Sequence, residues 1–323
     1  MDQNRTPYFD VLLDYVDSGV IPFHTPGHMQ GRGMDRAFRD FVGDNVLAID
    51  LTQIRGLDDL LQPEAAIAEA QELAAQAYGS DHSFFLINGS TSGNQIMMMA
   101  ALNPGDELAL PRNSHKSAMG GLIMSGASPI WMKPEVDVAL HMDHTVTPAT
   151  VRATLDAHPK IRAVYVVSPT YYGVAADLEG IAAVAHEHDV PLLVDEAWGP
   201  HFHFHPALPI DALEAGADVC VNSTHKMLGS LSQTAMLHAN GDRVPIDRLK
   251  AIVKLFLSTS PNLVLVASLD VARRQMATQG SALLSHTIEL ANDARRRLNA
   301  IPGIYCFAEE MIGRPGVFDL DPT

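Results

Sequence analysis

Three groups of polar residues in this 323-residue sequence follow short apolar runs. The first is the segment 89–93 (GSTSG), a turn of the kind that presents backbone N–H groups and hydroxyls to a phosphate at the start of a helix. The second is Asp195, whose carboxylate suits a buried cation such as a protonated ring nitrogen. The third is Lys226, next to His225, because a lysine with a lowered pKa can bond to a carbonyl compound. Each alone has a plainer interpretation: an ordinary turn, a capping carboxylate and a surface lysine.

The order of these three groups is more specific than any one of them. A phosphate turn, then a carboxylate after one strand and a lysine after another, is the arrangement that pyridoxal 5′-phosphate requires. The turn would bind the phosphate, Asp195 would keep the pyridine nitrogen protonated, and Lys226 would hold the aldehyde. A protonated ring stabilises a carbanion at the α-carbon of an amino acid.

A different pattern suggests a metal. His201, His203 and His205 alternate with phenylalanines, and three imidazoles on one face of a strand could bind zinc. No carboxylate or cysteine completes the set at close spacing, so no metal is expected.

The elements that position these residues alternate between strands and helices. Strands are predicted at Ser83–Ile87, Glu107–Leu110, Ile161–Val167, Pro191–Val194 and Val219–Asn222, with Gln233–His238 pairing beside the last. Helices are predicted at Tyr8–Asp17, from Pro63-Glu64 to Tyr78, after Asn94 to Leu102, and at Leu178–His188, Lys250–Leu257, Leu263–Thr278 and Ala282–Leu298. This alternation predicts an α/β fold, a mostly parallel central sheet with helices on both faces. Residues 1–62 are otherwise predicted to be irregular, and 303–307 to form a last strand.

Composition restricts the partners and the compartment. With 47% hydrophobic and 19% charged residues the chain is that of a packed globular protein. Lys and Arg number 22 against 38 Asp and Glu, a net charge of −16 that would repel a phosphate backbone, so no nucleic-acid partner is expected. The two cysteines, Cys220 and Cys306, build no disulfide framework and favour a reducing cytoplasm. There is neither a secretory signal nor a run that spans a bilayer, which predicts a cytoplasmic protein without a membrane partner.

The whole sequence resembles the amino-terminal and cofactor-binding part of the Orn/Lys/Arg decarboxylases, a branch of the fold-type I, aspartate aminotransferase-like pyridoxal phosphate enzymes. The segments that carry the resemblance are Phe23–His28, Asp50–Leu60, Asn88–Asn94, Arg112–Ser117, Ser168–Gly173, those around Asp195 and Lys226, Thr259–Pro261 and Ile312–Gly316. The resemblance implies a fold-type I large domain. It also decides between Lys226 and Lys116, which lies in a similar Ser-His-Lys segment, because the family places the aspartate before the lysine.

The resemblance further implies a role for each matching residue. Lys226 is the Schiff-base lysine, Asp195 the partner of the pyridine nitrogen, and His115 the imidazole stacked on the cofactor ring. His225 is a candidate for the proton transfer that follows loss of carbon dioxide. The other residues implied to bind the cofactor are Ser90, Thr91, Ser92, Thr170, Ala197, Trp198, His201 and Ser223, with Thr259 or Ser260 reaching the phosphate of a neighbouring subunit.

The family pattern also divides the chain into three parts. Residues 1–62 would pack on the large domain and the dimer, 63–278 would bind the cofactor, and 279–323 would be a helix and the start of a small carboxyl-terminal domain. Family members continue further, so this chain is expected to be a fragment, a split subunit or an inactive remnant. A homodimer or higher oligomer is expected, together with a separate carboxyl-terminal polypeptide if the enzyme is split.

The reaction implied by the resemblance is decarboxylation of a basic amino acid, arginine, lysine or ornithine, to an amine of the polyamine pathway. Two alternatives stay open. One is an aminotransferase or lyase of the same fold, because such enzymes share their first steps with decarboxylases. The other is a non-catalytic chain that binds the cofactor or dimerises with a full-length homologue.

Overall fold

The computed structural model of the chain describes all 323 residues. The helices are α1 Pro7–Asp17, α2 Arg36–Val42, α3 Asp44–Ile49, α4 Ala66–Tyr78, α5 Gly89–Ala101, α6 Lys116–Ser125, α7 Pro148–Ala157, α8 Leu178–Glu187, α9 Thr224–Met227, α10 Ile246–Phe256 and α11 Leu263–Asn299. The strands are β1 His82–Leu86, β2 Glu107–Pro111, β3 Ser128–Met132, β4 Val136–Asp137, β5 Met142–Asp143, β6 Ile161–Val167, β7 Val174–Ala175, β8 Leu192–Asp195, β9 Val219–Asn222, β10 Ala235–Ala239 and β11 Asp319–Leu320. None of the helices is both long and apolar enough to cross a membrane.

The central sheet has seven strands in the order β1-β10-β9-β8-β6-β2-β3. The strands from β9 to β3 are all parallel, and β10 runs antiparallel to both of its neighbours, β1 and β9. Every residue of β8 and β9 is buried, which requires cover on both faces of the sheet. The predicted fold class, a mostly parallel sheet between helices, is confirmed.

Two short helices in the amino-terminal segment were not predicted. α2 and α3 lie within residues 1–62, where α1 is the only helix that the sequence pattern indicates. α2 begins where the Asp35 side chain accepts a hydrogen bond from the N–H of Phe38, and it buries none of its residues. α3 buries only Leu47. Helices of six or seven residues with at most one buried side chain are too short to show a helical period in the sequence.

The start of α4 differs from its prediction for a physical reason. The Asp58 carboxylate accepts hydrogen bonds from the N–H groups of Glu64, Ala65 and Ile67, at 3.1, 2.9 and 2.9 Å. These donors have no partner within the helix, and a residue in the preceding loop caps it. The helix therefore begins at Ala66, after the predicted Pro63-Glu64.

The end of the chain also differs from prediction. The two predicted helices after Asn262 are one 37-residue helix, α11, which continues through residues 278 and 279. Residues 303–307 form no strand; there the Asn299 side chain bonds to the N–H and carbonyl groups of Cys306. The last strand is instead β11, which pairs antiparallel with β7. The division of the chain into three parts stays a prediction.

α11 also holds the amino-terminal segment. Arg273 and Asp270 form an ion pair, with 2.6 Å between guanidinium nitrogen and carboxylate oxygen, and both side chains are 0% exposed. Arg273 donates to the carbonyls of Gln3 and Arg5 at 2.8 and 2.6 Å, while Asp270 accepts from the N–H of Tyr8 at 2.9 Å. Residues distant in the sequence are thus joined through one buried pair of charges.

Gly93 allows α5 to pack directly on the sheet. A Cβ atom at this position would lie 2.3 Å from Cγ2 of Val221 in β9 and 3.2 Å from Cδ1 of Leu86 in β1. We expect Gly93→Ala to lower the free energy of unfolding by about 1–3 kcal/mol, the usual cost of overpacking a core. Gly27→Ala is the control, since a Cβ there meets nothing within 4 Å. Equal urea-unfolding curves for the two variants would contradict this expectation.

A buried histidine makes stability depend on pH. His238 in β10 is 0% exposed and bonds through Nδ1 to the hydroxyl of Ser83 at 2.7 Å. Burial lowers its pKa to about 3. The unfolded chain, with a histidine pKa near 6.5, therefore takes up the proton first, and the stability contributed by the neutral ring is present above that value and is lost as pH falls.

Replacing His238 should reduce the loss of unfolding free energy at acid pH. Between pH 7 and pH 5 we expect the free energy of unfolding of the unmodified protein to fall about 2 kcal/mol more than that of His238→Gln. His286→Gln, at an exposed position of α11, is the matched control and should keep the full slope. Parallel pH profiles for the protein and His238→Gln would show that the ring does not stay neutral.

Candidate active site

The candidate site lies at the carboxyl ends of two adjacent parallel strands. Asp195 is the last residue of β8, and Ser223 to Lys226 directly follow β9. Neighbouring parallel strands end at the same edge of a sheet, which is where open α/β sheets bind ligands. The strand order therefore brings together Asp195 and Lys226, as the sequence predicts.

Asp195 is a buried carboxylate whose hydrogen-bond donors are all neutral. It is 3% exposed and accepts from Asn94 Nδ2 at 2.8 Å, the hydroxyl of Tyr165 at 3.1 Å and the N–H of Ala197 at 3.2 Å. Burial, and then the neighbouring Asp195, raise the pKa of Tyr165 well above its usual value. This hydroxyl therefore keeps its proton. Because a buried charge requires an opposite one, this carboxylate fits a cationic ring nitrogen.

Lys226 lies over an aromatic ring. Its Nζ is 4.4 Å from the centroid of Trp198, within the range of a cation–π contact. Burial lowers the pKa of Lys226, opposed by the weaker attraction of Asp195, and this shift favours the neutral amine that attacks a carbonyl. Burial, and then the neighbouring Lys226, lower the pKa of His225 as well.

The phosphate end of the predicted site combines a helix start with buried hydroxyls. Gly89 opens α5 with φ of +73°, and no side chain caps the helix there. Ser90 is half-buried and Thr91 exposed, whereas the buried Ser92 hydroxyl donates to the carbonyl of Gly89 at 2.8 Å. After β9, the buried hydroxyls of Ser223 and Thr224 both lack a hydrogen-bond partner. Unpartnered buried hydroxyls beside a strand end fit a phosphate.

Other predicted residues have different surroundings. His115 is exposed and caps α6, accepting through Nδ1 from the N–H of Ser117. Thr170 accepts from two backbone N–H groups in its own turn, those of Tyr172 and Val174. Thr259 and Ser260 lie exposed in the loop between α10 and α11, and their reach into a neighbouring subunit stays a prediction.

The three alternating histidines do not converge. Residues 202–204 form a short 3-10 turn instead of a strand, so the side chains do not share one face. His201 contacts Asp321 at 3.2 Å, His203 bonds to Asp211 at 2.8 Å and His205 to Ser285 at 2.9 Å. The interpretation of these residues as three zinc ligands on a strand is therefore wrong. His201, predicted to bind the cofactor, bonds here to the carboxyl-terminal segment.

Two residues around Asp195 were not identified from the sequence. Asn94 and Tyr165 both donate to its carboxylate, and both are buried. Asn94 is a polar side chain among the buried apolar residues of α5, which include Ile96 and Met97. A polar residue on an apolar helix face requires a buried partner, and this signal could have identified it.

A separate cavity lies away from these residues. It holds about 430 Å³ at the β1 edge of the sheet, where Gln71, His82 and Lys254 line it with residues of α4 and α10. None of the predicted site residues borders it. The candidate site is defined by strand ends and buried polar groups, not by the depth of a cavity.

The sheet order and the residues at its strand ends define the large domain of a fold-type I enzyme. Residues 6–323 match the family profile described as Orn/Lys/Arg decarboxylase, major domain, and the chain belongs to this family. The resemblance inferred from the sequence is therefore confirmed.

Individual relatives agree with this family. The chain is 45% identical over 321 residues to an arginine decarboxylase of Halalkalibacterium halodurans, covering 99% of the chain and 65% of the relative. It is 46% identical over 323 residues to an arginine decarboxylase of Bacillus cereus, covering 100% and 70%. The solved structure of lysine decarboxylase A from Pseudomonas aeruginosa superposes with a TM-score of 0.79 at 29% identity, covering 93% of this chain and 44% of that one. The chain thus spans about two thirds of the arginine decarboxylases and less than half of the lysine decarboxylase.

Proposed function

We propose that this chain carries the pyridoxal phosphate site of an enzyme that decarboxylates a basic amino acid. The observation that carries the proposal is the pairing of a buried carboxylate with a partly buried amine at neighbouring strand ends. Asp195 has only neutral donors, and Lys226 has a lowered pKa over Trp198. Membership of the Orn/Lys/Arg decarboxylase family supports decarboxylation over transamination.

The residues at the site fit pyridoxal phosphate at each of its ends. The start of α5 with Ser90 and Thr91, together with the unpartnered hydroxyl of Ser223, would hold the phosphate. Asp195 would hold a proton on the ring nitrogen, and Lys226 would hold the aldehyde carbon. When bound, the cofactor supplies an electron sink for the negative charge left at the α-carbon of the substrate.

The chain's own groups then govern the protons and the solvent. A lowered pKa lets the amine of Lys226 give up its proton when it attacks and lets it return a proton to the α-carbon. The lowered pKa of His225 keeps its imidazole neutral near pH 7, in the state of a base. Trp198 covers one side of the Lys226 amine, and Tyr171 packs edge to face on Trp198, with 5.4 Å between ring centroids.

The identities of the relatives favour arginine as the substrate, with lysine and ornithine as the alternatives. The product would be the corresponding amine, a precursor for polyamine synthesis. We further propose that the protein works in the cytoplasm as a homodimer or higher oligomer, in which Thr259 or Ser260 reaches the partner's phosphate. The division at residues 62 and 278 belongs to the same proposal, as does a separate carboxyl-terminal polypeptide.

The proposal is tested by spectrum and product together. We expect purified protein to develop a visible absorption band on addition of pyridoxal phosphate. We then expect arginine to shift this band and to yield carbon dioxide and the amine, in preference to lysine and ornithine. A keto acid formed without carbon dioxide would instead indicate an aminotransferase. A band that responds to none of the three amino acids would support the non-catalytic alternative.

A further inference from the structure

An unbroken hydrogen-bond chain connects Asp195 to His115. Asn94 Nδ2 is 2.8 Å from the Asp195 carboxylate and 2.9 Å from the hydroxyl oxygen of Ser117. That hydroxyl lies 2.8 Å from Nδ1 of His115. The two intermediate side chains are closed off from solvent, with Asn94 1% and Ser117 2% exposed.

The donors and acceptors along this chain can be assigned in one direction only. An ionised carboxylate accepts and never donates, so the NH₂ group of Asn94 must face Asp195. The amide oxygen then faces the Tyr165 hydroxyl at 3.2 Å, whose single proton is shared between this oxygen and the Asp195 carboxylate. The second N–H of Asn94 occupies one lone pair of the Ser117 oxygen, and the hydroxyl keeps its own proton to donate.

Nδ1 of His115 carries a lone pair, because it accepts the backbone N–H of Ser117 at 3.2 Å. The Ser117 hydroxyl, 2.8 Å away, therefore donates its proton to the same atom. The proton of the neutral ring consequently resides on Nε2, the nitrogen on the opposite side of the imidazole. The tautomer of a histidine is set by the hydrogen bonds around its ring, and Asp195 lies at the far end of this chain of bonds, beyond Ser117 and Asn94.

We infer that Asn94 and Ser117 are positioning residues that couple the charge of Asp195 to the tautomer of His115. Through them, one carboxylate acts at two places. It would pair with the protonated ring nitrogen of the cofactor, and it holds His115 as an Nε2–H donor in a fixed orientation. The link to the cofactor rests on the proposed function, whereas the tautomer is a property of the chain itself.

The alternative is that His115 only caps α6. In that case the backbone N–H of Ser117 would suffice to hold the imidazole, and the Ser117 hydroxyl and the charge of Asp195 would not affect the tautomer. The two interpretations predict different spectra for the same variants.

The experiment uses the full chain labelled with ¹⁵N-histidine, without cofactor or substrate. Long-range ¹H–¹⁵N spectra at alkaline pH report which ring nitrogen carries the proton, and His115→Gln assigns the signal. We expect the Nε2–H form in the unmodified protein. In Ser117→Ala we expect the ratio of tautomers to move towards Nδ1–H by roughly fivefold, the effect of one hydrogen bond. Asp195→Asn should move it in the same direction, because an amide in that place no longer fixes the orientation of Asn94.

Ser114→Ala is the matched control, since its hydroxyl donates to the carbonyl of Pro111 at 2.7 Å and does not contact the imidazole. An Nδ1–H tautomer in the unmodified protein would overturn the inference. So would unchanged ratios in both Ser117→Ala and Asp195→Asn. Because these spectra need no turnover, they decide the coupling even if no carbon dioxide is ever detected.

Discussion

Lys226→Ala is expected to abolish decarboxylation, with a rate at least roughly 10⁴-fold lower, the scale seen when a covalent catalytic group is removed. The amine over Trp198 is the group that would bond to the cofactor, and no other lysine contacts that ring. The visible absorption band should disappear with the activity, while the unfolding curve changes little because Lys226 is only partly buried. Absorbance, carbon dioxide release and thermal unfolding measured on one preparation check this expectation.

Lys116→Ala is the matched control for this experiment. Lys116 lies in a similar Ser-His-Lys segment and follows a histidine, as Lys226 does. Unlike Lys226, it is exposed at the start of α6. We expect this variant to keep the absorption band and the activity. Loss of the band in Lys116→Ala but not in Lys226→Ala would reverse the assignment of the two lysines.

Arg273→Ala is expected to have the largest effect on stability, lowering the free energy of unfolding by about 3–5 kcal/mol. The substitution leaves Asp270 buried without its cation and removes the donors to the carbonyls of Gln3 and Arg5. Burial raises the pKa of Asp270 even with Arg273 present. Without Arg273 the native state would bind a proton on Asp270 more readily than the unfolded chain, so the loss of stability should be greater at pH 8 than at pH 5.

Arg296→Ala provides the comparison for this variant. Arg296 also pairs with an aspartate three residues before it on α11, but its side chain is 77% exposed. Exposed pairs contribute about 0–1 kcal/mol, so this variant should unfold almost as the unmodified protein does. Urea unfolding at both pH values distinguishes the two sites. Similar small losses for both arginines would mean that the buried pair does not hold the amino-terminal segment.

The sequence predicts those parts of the site in which the residue type itself indicates the chemical role, as a carboxylate or a lysine does. Asp195 and Lys226 follow short apolar runs, and parallel strand ends meet at one edge of a sheet, so their meeting was foreseeable. Asn94 and Tyr165 were not foreseen, because their importance comes from the residue that they face. The buried position of Asn94 on an apolar helix face indicates that it needs a partner, but the contact joins α5, β6 and β8, and no local pattern says which partner it is.

In the fold, too, some elements were predictable from the sequence and others were not. The buried strands, with continuous apolar runs, were located to within one or two residues. Among the elements that were not predicted are β3, α6 and α7. Elsewhere a single side chain decides the local structure: Asp58 sets the start of α4, and Asn299 shapes residues that resemble a strand by composition. The histidines at 201, 203 and 205 alternate in sequence, but a tight turn directs them to separate partners.

The position of β10 has a consequence for how this protein is made. β1 has β10 as its only neighbour in the sheet, so residues 82–86 find their partners only after residues 235–239 have been synthesised. Gln3 and Arg5 wait longer still, until Arg273 has left the ribosome. During that interval the apolar segment around Phe84 and Phe85 is unpaired, and such segments aggregate in nascent chains. These two segments are therefore translated early and find their native contacts late, and β1 is exposed to aggregation in that interval.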